Sequence, residues 1–357
     1  MFKKYKEKFI GDREFYANLI RLIIPMIVQQ GITSFVSLLD NVMVGRLGTE
    51  SMSGVAIVNQ LLFVFNLTIF GGLAGASIFG AQFYGKGDHK GVRYALRFKL
   101  IFSVLMAVIA IVALLFFNNP LISLFLTESE SGGDLVLTLS EAKNYLFVML
   151  IGLIPFSFSQ SYSSTLRETG ETVSPMTASI IAIVTNFVLN YILIFGKFGA
   201  PALGITGAAI ATLTSRVLEF VIVAVYAPRY RRVPLMLRLL LRPGGAMARS
   251  FLKYATPVLV NEVLWGLGVS VMTAVMGHMA ISTDMLAAHA IMGNIDKFST
   301  VACFGIAGAT AVIVGKRIGE GAGREEVYSL GCCLLTVSFG VGLVVSVCLA
   351  VLLPTVF

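Results

Sequence analysis

The chain has 357 residues, 57% of them hydrophobic and 13% charged, with a formal net charge of +8 and a mean hydropathy of +0.86. Soluble domains carry roughly 25% charged residues, so this chain cannot cover a water-facing surface; its 26 Phe argue against disorder, and its four cysteines lie inside apolar runs rather than in a secreted disulfide framework. What remains is an all-α, polytopic helical membrane protein.

A helix crossing a hydrocarbon core needs about 20 mostly apolar residues. Nine segments satisfy this: 16–45, 53–84, 93–118, 139–163, 172–196, 204–227, 251–278, 286–315 and 326–354. Their apolar runs are continuous and rich in Leu, Ala and Gly, which excludes the alternating strands of a membrane barrel.

The first span carries Pro25 and a polar stripe. Gln30, Thr33, Ser37 and Asp40 recur at i, i+3, i+7 and i+10, so one face is polar from mid-membrane to the far end and is expected to line a cavity. A carboxylate inside a span costs roughly 2.5–3.5 kcal/mol and is a functional hypothesis by default. The plainer alternative for Asp40 is solvation at the interface beside Arg46. In the fifth span Asn186 and Asn190 stand four apart on one face, with Asn190 at the depth of Asp40. A carboxylate flanked by amides can hold a proton or coordinate a sodium ion through oxygen; the alternative is interhelical bonding worth ~1 kcal/mol or less.

Near the end of the sixth span, Arg216 and Glu219 read as an i, i+3 structural pair. Glu262, five residues after Pro257 in the seventh span, is the second intramembrane acid, either a functional group or a bond to a neighbouring helix. Asp296 and Lys297 in the eighth span point about 100° apart, and either can line the cavity. Cys332 and Cys333 in the ninth read as packing. H-E-x-x-H, P-loop and G-x-S-x-G motifs are missing, and His89, His278 and His289 lack metal-ligand spacing. Neither an enzyme nor a tightly bound metal is expected.

Basic residues set the expected orientation. Most of the 27 Lys and Arg cluster at the N-terminus, after the second span (Lys86 to Lys99), from Arg216 to Lys253, and after the fourth and eighth spans. All of these fall on one side, so the N-terminus is expected in the cytoplasm and the protein in the inner or plasma membrane. The charge is topogenic, and no nucleic-acid partner is expected.

The chain repeats itself. Pro25 in LIIPMIVQQ matches Pro257 in KYATPVLVNE, and Gly45 matches Gly277 at the same offset. A two-letter insertion near Thr283 and Asp284 lengthens the offset, which then pairs Gly85 and Gly87 with Gly319 and Gly321. A register held over so long a stretch reads as a duplication. The expected domains are a six-helix lobe at 1–227, a basic linker at 228–250 and a three-helix partial lobe at 251–357. A complete second copy would need roughly 100 more residues, so a truncated twelve-helix protein is expected; the alternative is a genuine six-plus-three transporter.

The segments LLDNVMVGRLG, GLAGASIFGAQFYGKGD, LRETGETVSPM, NFVLNYILIFGKFGAPALGITGAAIAT and AAHAIMGNIDKFSTVACFGIAGATAVIVGKRIGEG together resemble the multidrug and toxic compound extrusion (MATE) family of cation-coupled efflux pumps. The resemblance spans essentially the whole chain. It implies two pseudo-symmetric lobes in a V that alternate between inward- and outward-open states and exchange amphipathic or cationic drugs for Na⁺ or H⁺. Asp40 matches the first-helix acid of the family's N-lobe cation site, Asn186 and Asn190 its fifth-helix partners, and Glu262 the seventh-helix acid of branches that use a second-lobe site. Tyr145 is a candidate for the N-lobe cavity wall. The tenth helix, which carries a further acid in those branches, has no counterpart here.

The functional expectation is therefore a cation-coupled exporter of amphipathic compounds. Coupling falls to Asp40, Asn186, Asn190 and Glu262, and the cavity to Gln30, Thr33, Ser37, Tyr145 and Asp296. Na⁺ or H⁺ serves as coupling ion, no other cofactor is needed, and a monomer in the bilayer is expected. Alternatives are a lipid-linked oligosaccharide flippase of the same architecture and a transport-incompetent fragment.

Overall fold

The computed structural model describes residues 9–125, 135–229, 245–277 and 282–356. It is built of helices: α1 (Arg13–Gly45), α2 (Thr49–Gly85), α3 (His89–Phe116), the short α4 (Asn118–Ser123), α5 (Leu135–Ile151), α6 (Leu153–Glu168), α7 (Val173–Phe195), α8 (Gly204–Arg229), α9 (Gly245–Gly277), α10 (Ser282–Gly319) and α11 (Arg324–Val356). Among the described residues eight helices are long and apolar enough to cross a membrane, and the bent pair α5–α6 makes a ninth crossing.

Two expectations change in detail. The fourth span is not one helix over 139–163: it runs from Leu135 to Glu168 and bends by 47° at Gly152. The kink comes at Gly152, whose N–H bonds the Met149 carbonyl rather than one four residues back, and Pro155 just beyond it has no N–H to offer the Ile151 carbonyl. The predicted linker is also shorter. α8 continues to Arg229 and α9 starts at Gly245, so Arg249 is helical; residues 230–244 lie outside the described part.

Helix starts follow local chemistry. The Asp12 side chain accepts from Phe15 N–H at 2.7 Å to cap α1, and Asp88 accepts from Lys90 and Gly91 N–H to cap α3. Outward faces are apolar, as at Ile20, Ile24 and Phe35 on α1 and Leu105, Ile109 and Val112 on α3, the surface a lipid-facing helix needs.

The repeat is visible in the structure. α1 and α9 begin and end at matching positions, Arg13 with Gly245 and Gly45 with Gly277, in the register that pairs the prolines inside them, Pro25 and Pro257. α2 and α10 likewise end on a matched pair, Gly85 and Gly319. The turns that follow carry Gly87 and Gly321 at φ 76° and 86°, a conformation that suits glycine. Contacts between the halves obey the same rule: α2 packs on α9 as α10 packs on α1. A Cβ placed on Gly71 would stand 2.9 Å from Leu259 Cα, and one on Gly305 would stand 2.7 Å from Ile27 Cγ1, the matching pair. At the ends of α2 and α10, Gly85 meets the Lys316 carbonyl and Gly319 meets the Gln82 carbonyl. Ala81 faces Gly315, its own counterpart, so a pseudo-two-fold axis passes between them.

Within the first six spans the core wraps around α2, which packs on α3, α5 and α6. Buried Val58, Leu62, Phe65 and Ile69 of α2 meet Leu146, Met149 and Leu150 of α5 and Ile205, Ala208 and Ala209 of α8. α1 adds Met43 and Val44 to this core at its end and otherwise packs against α7 and α10. The polar site sits where α1 closes over it.

Candidate functional site

A cavity of about 430 Å³ opens between α1, α2, α5, α7 and α8. Ser37, Asp40 and Asn41 line it from α1, Asn59, Phe63 and Asn66 from α2, Tyr145 and Met149 from α5, Asn190 from α7, and Thr212 and Arg216 from α8. That size suits a small organic molecule. The polar groups converge from five helices that the core holds in place.

Asp40 is the centre of the polar cluster. Asn190 Nδ2 donates to Asp40 Oδ1 at 2.7 Å, a charge-assisted bond shorter than neutral ones. The Asn186 amide has two orientations. In one, its nitrogen donates to Thr212 Oγ1 and its oxygen accepts from Asn190 Nδ2, both at 3.2 Å. In the other, its nitrogen reaches Asp40 Oδ2 at 3.1 Å while its oxygen accepts from the N–H and hydroxyl of Thr212 at 3.2 Å. The second arrangement gives each Asp40 oxygen an amide donor and fits an ionised carboxylate better. Asn190 Oδ1 is buried with no hydrogen-bond partner among the described residues. A carboxylate, amide oxygens and a hydroxyl are hard oxygen donors of the kind an alkali cation takes. Among the described residues no three His, Cys, Asp or Glu side chains gather into a metal-binding group.

The structure thus brings together Asp40, Asn186 and Asn190, and adds Ser37 and Tyr145 of the expected cavity residues to the same site. It does not bring the others there. Glu262 lies on α9 against Gly71 of α2, outside this cavity. Asp296 is exposed on α10, and its carbonyl accepts from Thr300. Thr33 is exposed and turns its hydroxyl back to the Gln29 carbonyl.

Gln30 is exposed, and its neighbour Gln29 makes the mid-helix contact, donating to Ser179 Oγ at 2.7 Å. The reason is angular. At about 100° per residue, position 29 falls about 20° from Asp40 around α1, whereas position 30 falls about 80° away.

Two further corrections concern charges. Among the described residues Arg216 and Glu219 interact electrostatically but are not in ion-pair contact: Arg216 stacks over Phe156 at 4.9 Å, and Glu219 accepts from Ser179 at 2.6 Å. Lys99, counted above among the topogenic residues, is fully buried and ion-paired with Glu168, with Ser164 and Thr165 beside it.

Sequence reasoning passed over Asn59, Asn66 and Thr212 and treated Arg216 without reference to a cavity. Asn59 and Asn66 are seven apart in an apolar helix, a same-face spacing that was readable. Thr212 and Arg216 stand one turn apart, which gave the same signal.

Comparison with known proteins agrees with this architecture. The MatE family model matches residues 25–192 and again 257–357, the two matches starting at Pro25 and Pro257, the paired prolines of the repeat. A protein of Thermotoga maritima named probable multidrug resistance protein NorM is 29% identical over 338 residues, covering 92% of this chain and 68% of its own length. One of that name from Agrobacterium fabrum is 26% identical, covering 89% of this chain and 68% of its own length. This chain thus spans about two thirds of these relatives.

Two solved structures share the fold. One, a crystal structure of MATE in complex with MaL6, has a TM-score of 0.82 at 23% identity, covering 98% of this chain and 75% of that one. The other, an outward-facing multidrug resistance MATE family transporter, has a TM-score of 0.80 at 23% identity over 93% and 71%. Matched in both of its halves, in the register of its own repeat, the chain belongs to the MatE family, the multidrug and toxic compound extrusion transporters.

Proposed function

We propose that this chain carries the cation-coupled antiport of amphipathic or cationic drugs out of the cell, with Na⁺ or H⁺ as coupling ion. Its basic end faces the cytoplasm, and it works as a monomer in the cytoplasmic membrane without nucleic acid or cofactor. The multidrug resistance names of its relatives support the substrate class. The observation that carries the coupling is Asp40 in a cavity wall, clasped to α7 by Asn190.

In the orientation of Asn186 that reaches Asp40, each carboxylate oxygen accepts one amide N–H, which favours the ionised acid. A proton arriving on Asp40 turns one acceptor into a donor and breaks one of those bonds. A sodium ion competes for the same oxygens and recruits the unpartnered Asn190 Oδ1. A proton thus loosens α1 from α7, whereas sodium replaces the amide clasp with a bridge between the same two helices, and an ammonium group of the drug competes for the same charge. One acid therefore serves both ligands, which is what exchange requires. Glu262, on the face of α9 packed against α2, is a second coupling acid in this scheme.

The test is Asp40→Asn, assayed as ion-gradient-driven efflux of a cationic dye in everted membrane vesicles. The expected outcome is loss of gradient-dependent efflux at normal membrane abundance. Gradient-driven efflux at the wild-type rate would exclude this mechanism.

A further inference from the structure

We propose that two pseudo-equivalent grooves at the basic end of the molecule each bind one anionic phospholipid. The first lies between α3 and α9, with α2 beneath it. Its floor is aromatic: the Phe251 ring of α9 stands 5.1 Å from that of Phe79 on α2 and 5.1 Å from that of Phe98 on α3. Tyr254 meets Phe79 edge-on at 5.3 Å and stays half-exposed, as does Tyr94, one turn before Phe98 on α3. The Lys253 ammonium stands over the Tyr254 ring at 5.9 Å. Along the outer face of α3 come Lys90, Tyr94, Phe98 and then Leu105, spaced to fall on one side of the helix. Phosphate, glycerol esters and acyl chain follow one another in the same order down a lipid, and cation, tyrosine and hydrocarbon suit them in turn.

The exposed charge beside the groove is of one sign. Lys90, Arg93, Arg249 and Lys253 are exposed, and none of them enters an ion pair among the described residues. α3 holds no acidic residue, and Glu262, the acid of α9, lies about two and a half turns beyond Lys253. The Asp88 carboxylate at the start of α3 is taken up by the N–H groups of Lys90 and Gly91.

The internal repeat supplies an independent observation. In the register that pairs Gly85 with Gly319, Lys90 corresponds to Arg324 and Tyr94 to Tyr328. In the register that pairs Pro25 with Pro257, Lys253 corresponds to Arg21. All three counterparts are exposed. The floor has not been kept: Phe79, Phe98 and Phe251 give way to Ile313, Cys332 and Leu19, and Leu19 and Ile313 join an aliphatic cluster with Leu334 of α11. The packing changed between the halves, while the basic and tyrosine rim stayed. A rim retained independently of its floor answers to something outside the protein. Positive charge beside tyrosine on a lipid-facing groove is complementary to an anionic headgroup.

The test is native mass spectrometry of the full chain in detergent, titrated with phosphatidylglycerol or with phosphatidylcholine of the same acyl chains. Wild type is expected to retain two phosphatidylglycerols, each bound at least about tenfold more tightly than phosphatidylcholine, as two cations at one headgroup imply. Lys90→Gln with Lys253→Gln should retain one, as should Arg21→Gln with Arg324→Gln, and the four substitutions together none. Lys316→Gln with Arg317→Gln removes two charges from the same end, outside both grooves, and should retain two.

Equal retention of the two lipids by wild type overturns the proposal and leaves the rims to an acidic soluble partner. Loss of lipid from the Lys316 and Arg317 variant also overturns it, by making the attraction a matter of net charge. Both lipids surviving all four groove substitutions would do the same. Should a glutamine variant fail to fold, the wild-type comparison decides, together with Lys90→Arg and Lys253→Arg, which keep both charges and are expected to keep both lipids.

Discussion

Asn190 on α7 donates to Asp40 on α1 at 2.7 Å, and eleven residues earlier on both helices Gln29 donates to Ser179, also at 2.7 Å. Equal spacing means that the helices run parallel and in register, with two polar clasps about 16 Å apart on one seam. The lower clasp extends to α8, because Ser179 in turn donates to Glu219. In a membrane, where apolar contact with lipid competes equally with apolar contact between helices, such bonds fix a helix's position more than its insertion.

Breaking the clasps should therefore be felt in stability and in the placement of α1 together. Ser179→Ala leaves Gln29 and Glu219 without their shared hydroxyl and is expected to cost about 1–3 kcal/mol. Asn190→Ala is expected to cost a similar amount. Thermal unfolding of the purified protein in detergent measures both, and unchanged transitions in both variants would show that α1 is held by other contacts.

The Lys99–Glu168 pair makes a sharper prediction because both charges are buried. Lys99→Met strands a carboxylate in the interior and is expected to destabilise by about 3–5 kcal/mol. The double variant Lys99→Met with Glu168→Gln removes the stranded charge and should recover most of that loss. A double variant no more stable than the single one would mean that the penalty comes from packing rather than charge.

The pseudo-two-fold contact predicts paired effects. Gly85→Val drives a side chain into the Lys316 carbonyl, and Gly319→Val drives one into the Gln82 carbonyl. Backbone cannot give way as a side chain can, so each is expected to cost roughly 1–3 kcal/mol, and the two costs should match. A chain with Ala81→Cys and Gly315→Cys, its own four cysteines replaced by serine, should cross-link under mild oxidation and migrate faster on a denaturing gel. Matching melting shifts together with the cross-link support the axis; one harmless valine would deny it.

Much of this was legible beforehand, for identifiable reasons. Apolar runs as long as a bilayer leave helices no alternative, and the repeat of Pro25 in Pro257 anticipated helix ends at the same offset. Asn186 and Asn190 share a face at any helix orientation, so their meeting with each other needed only the helix. Their meeting with Asp40 was suggested by equal depth in the membrane, and the resemblance to the family pointed the same way. What stayed hidden depended on which way a helix is turned. Gln29 and Gln30 differ by one position and by a rotation of about 100°, and only the packing of α1 on α7 chooses between them. Lys99 stayed hidden for a different reason. A lysine near the basic end of a span reads as a loop charge, and only Glu168, sixty-nine residues away, brings it inside. The break at Gly152 need not have stayed hidden, because Pro155 three residues on announces it.

The contact between α2 and α10 bears on the origin of the molecule. Residues that touch their own counterparts across an axis, as Ala81 touches Gly315, are the signature of a surface that two identical subunits make with each other. The halves keep that surface at their helix ends, where Gly85 and Gly319 survive in both. They have diverged at Asp40, whose counterpart by the repeat is Met272, and at Glu262, which faces Gln30 in the alignment. The seam therefore keeps two-fold geometry, while the chemistry on either side of it differs between the halves.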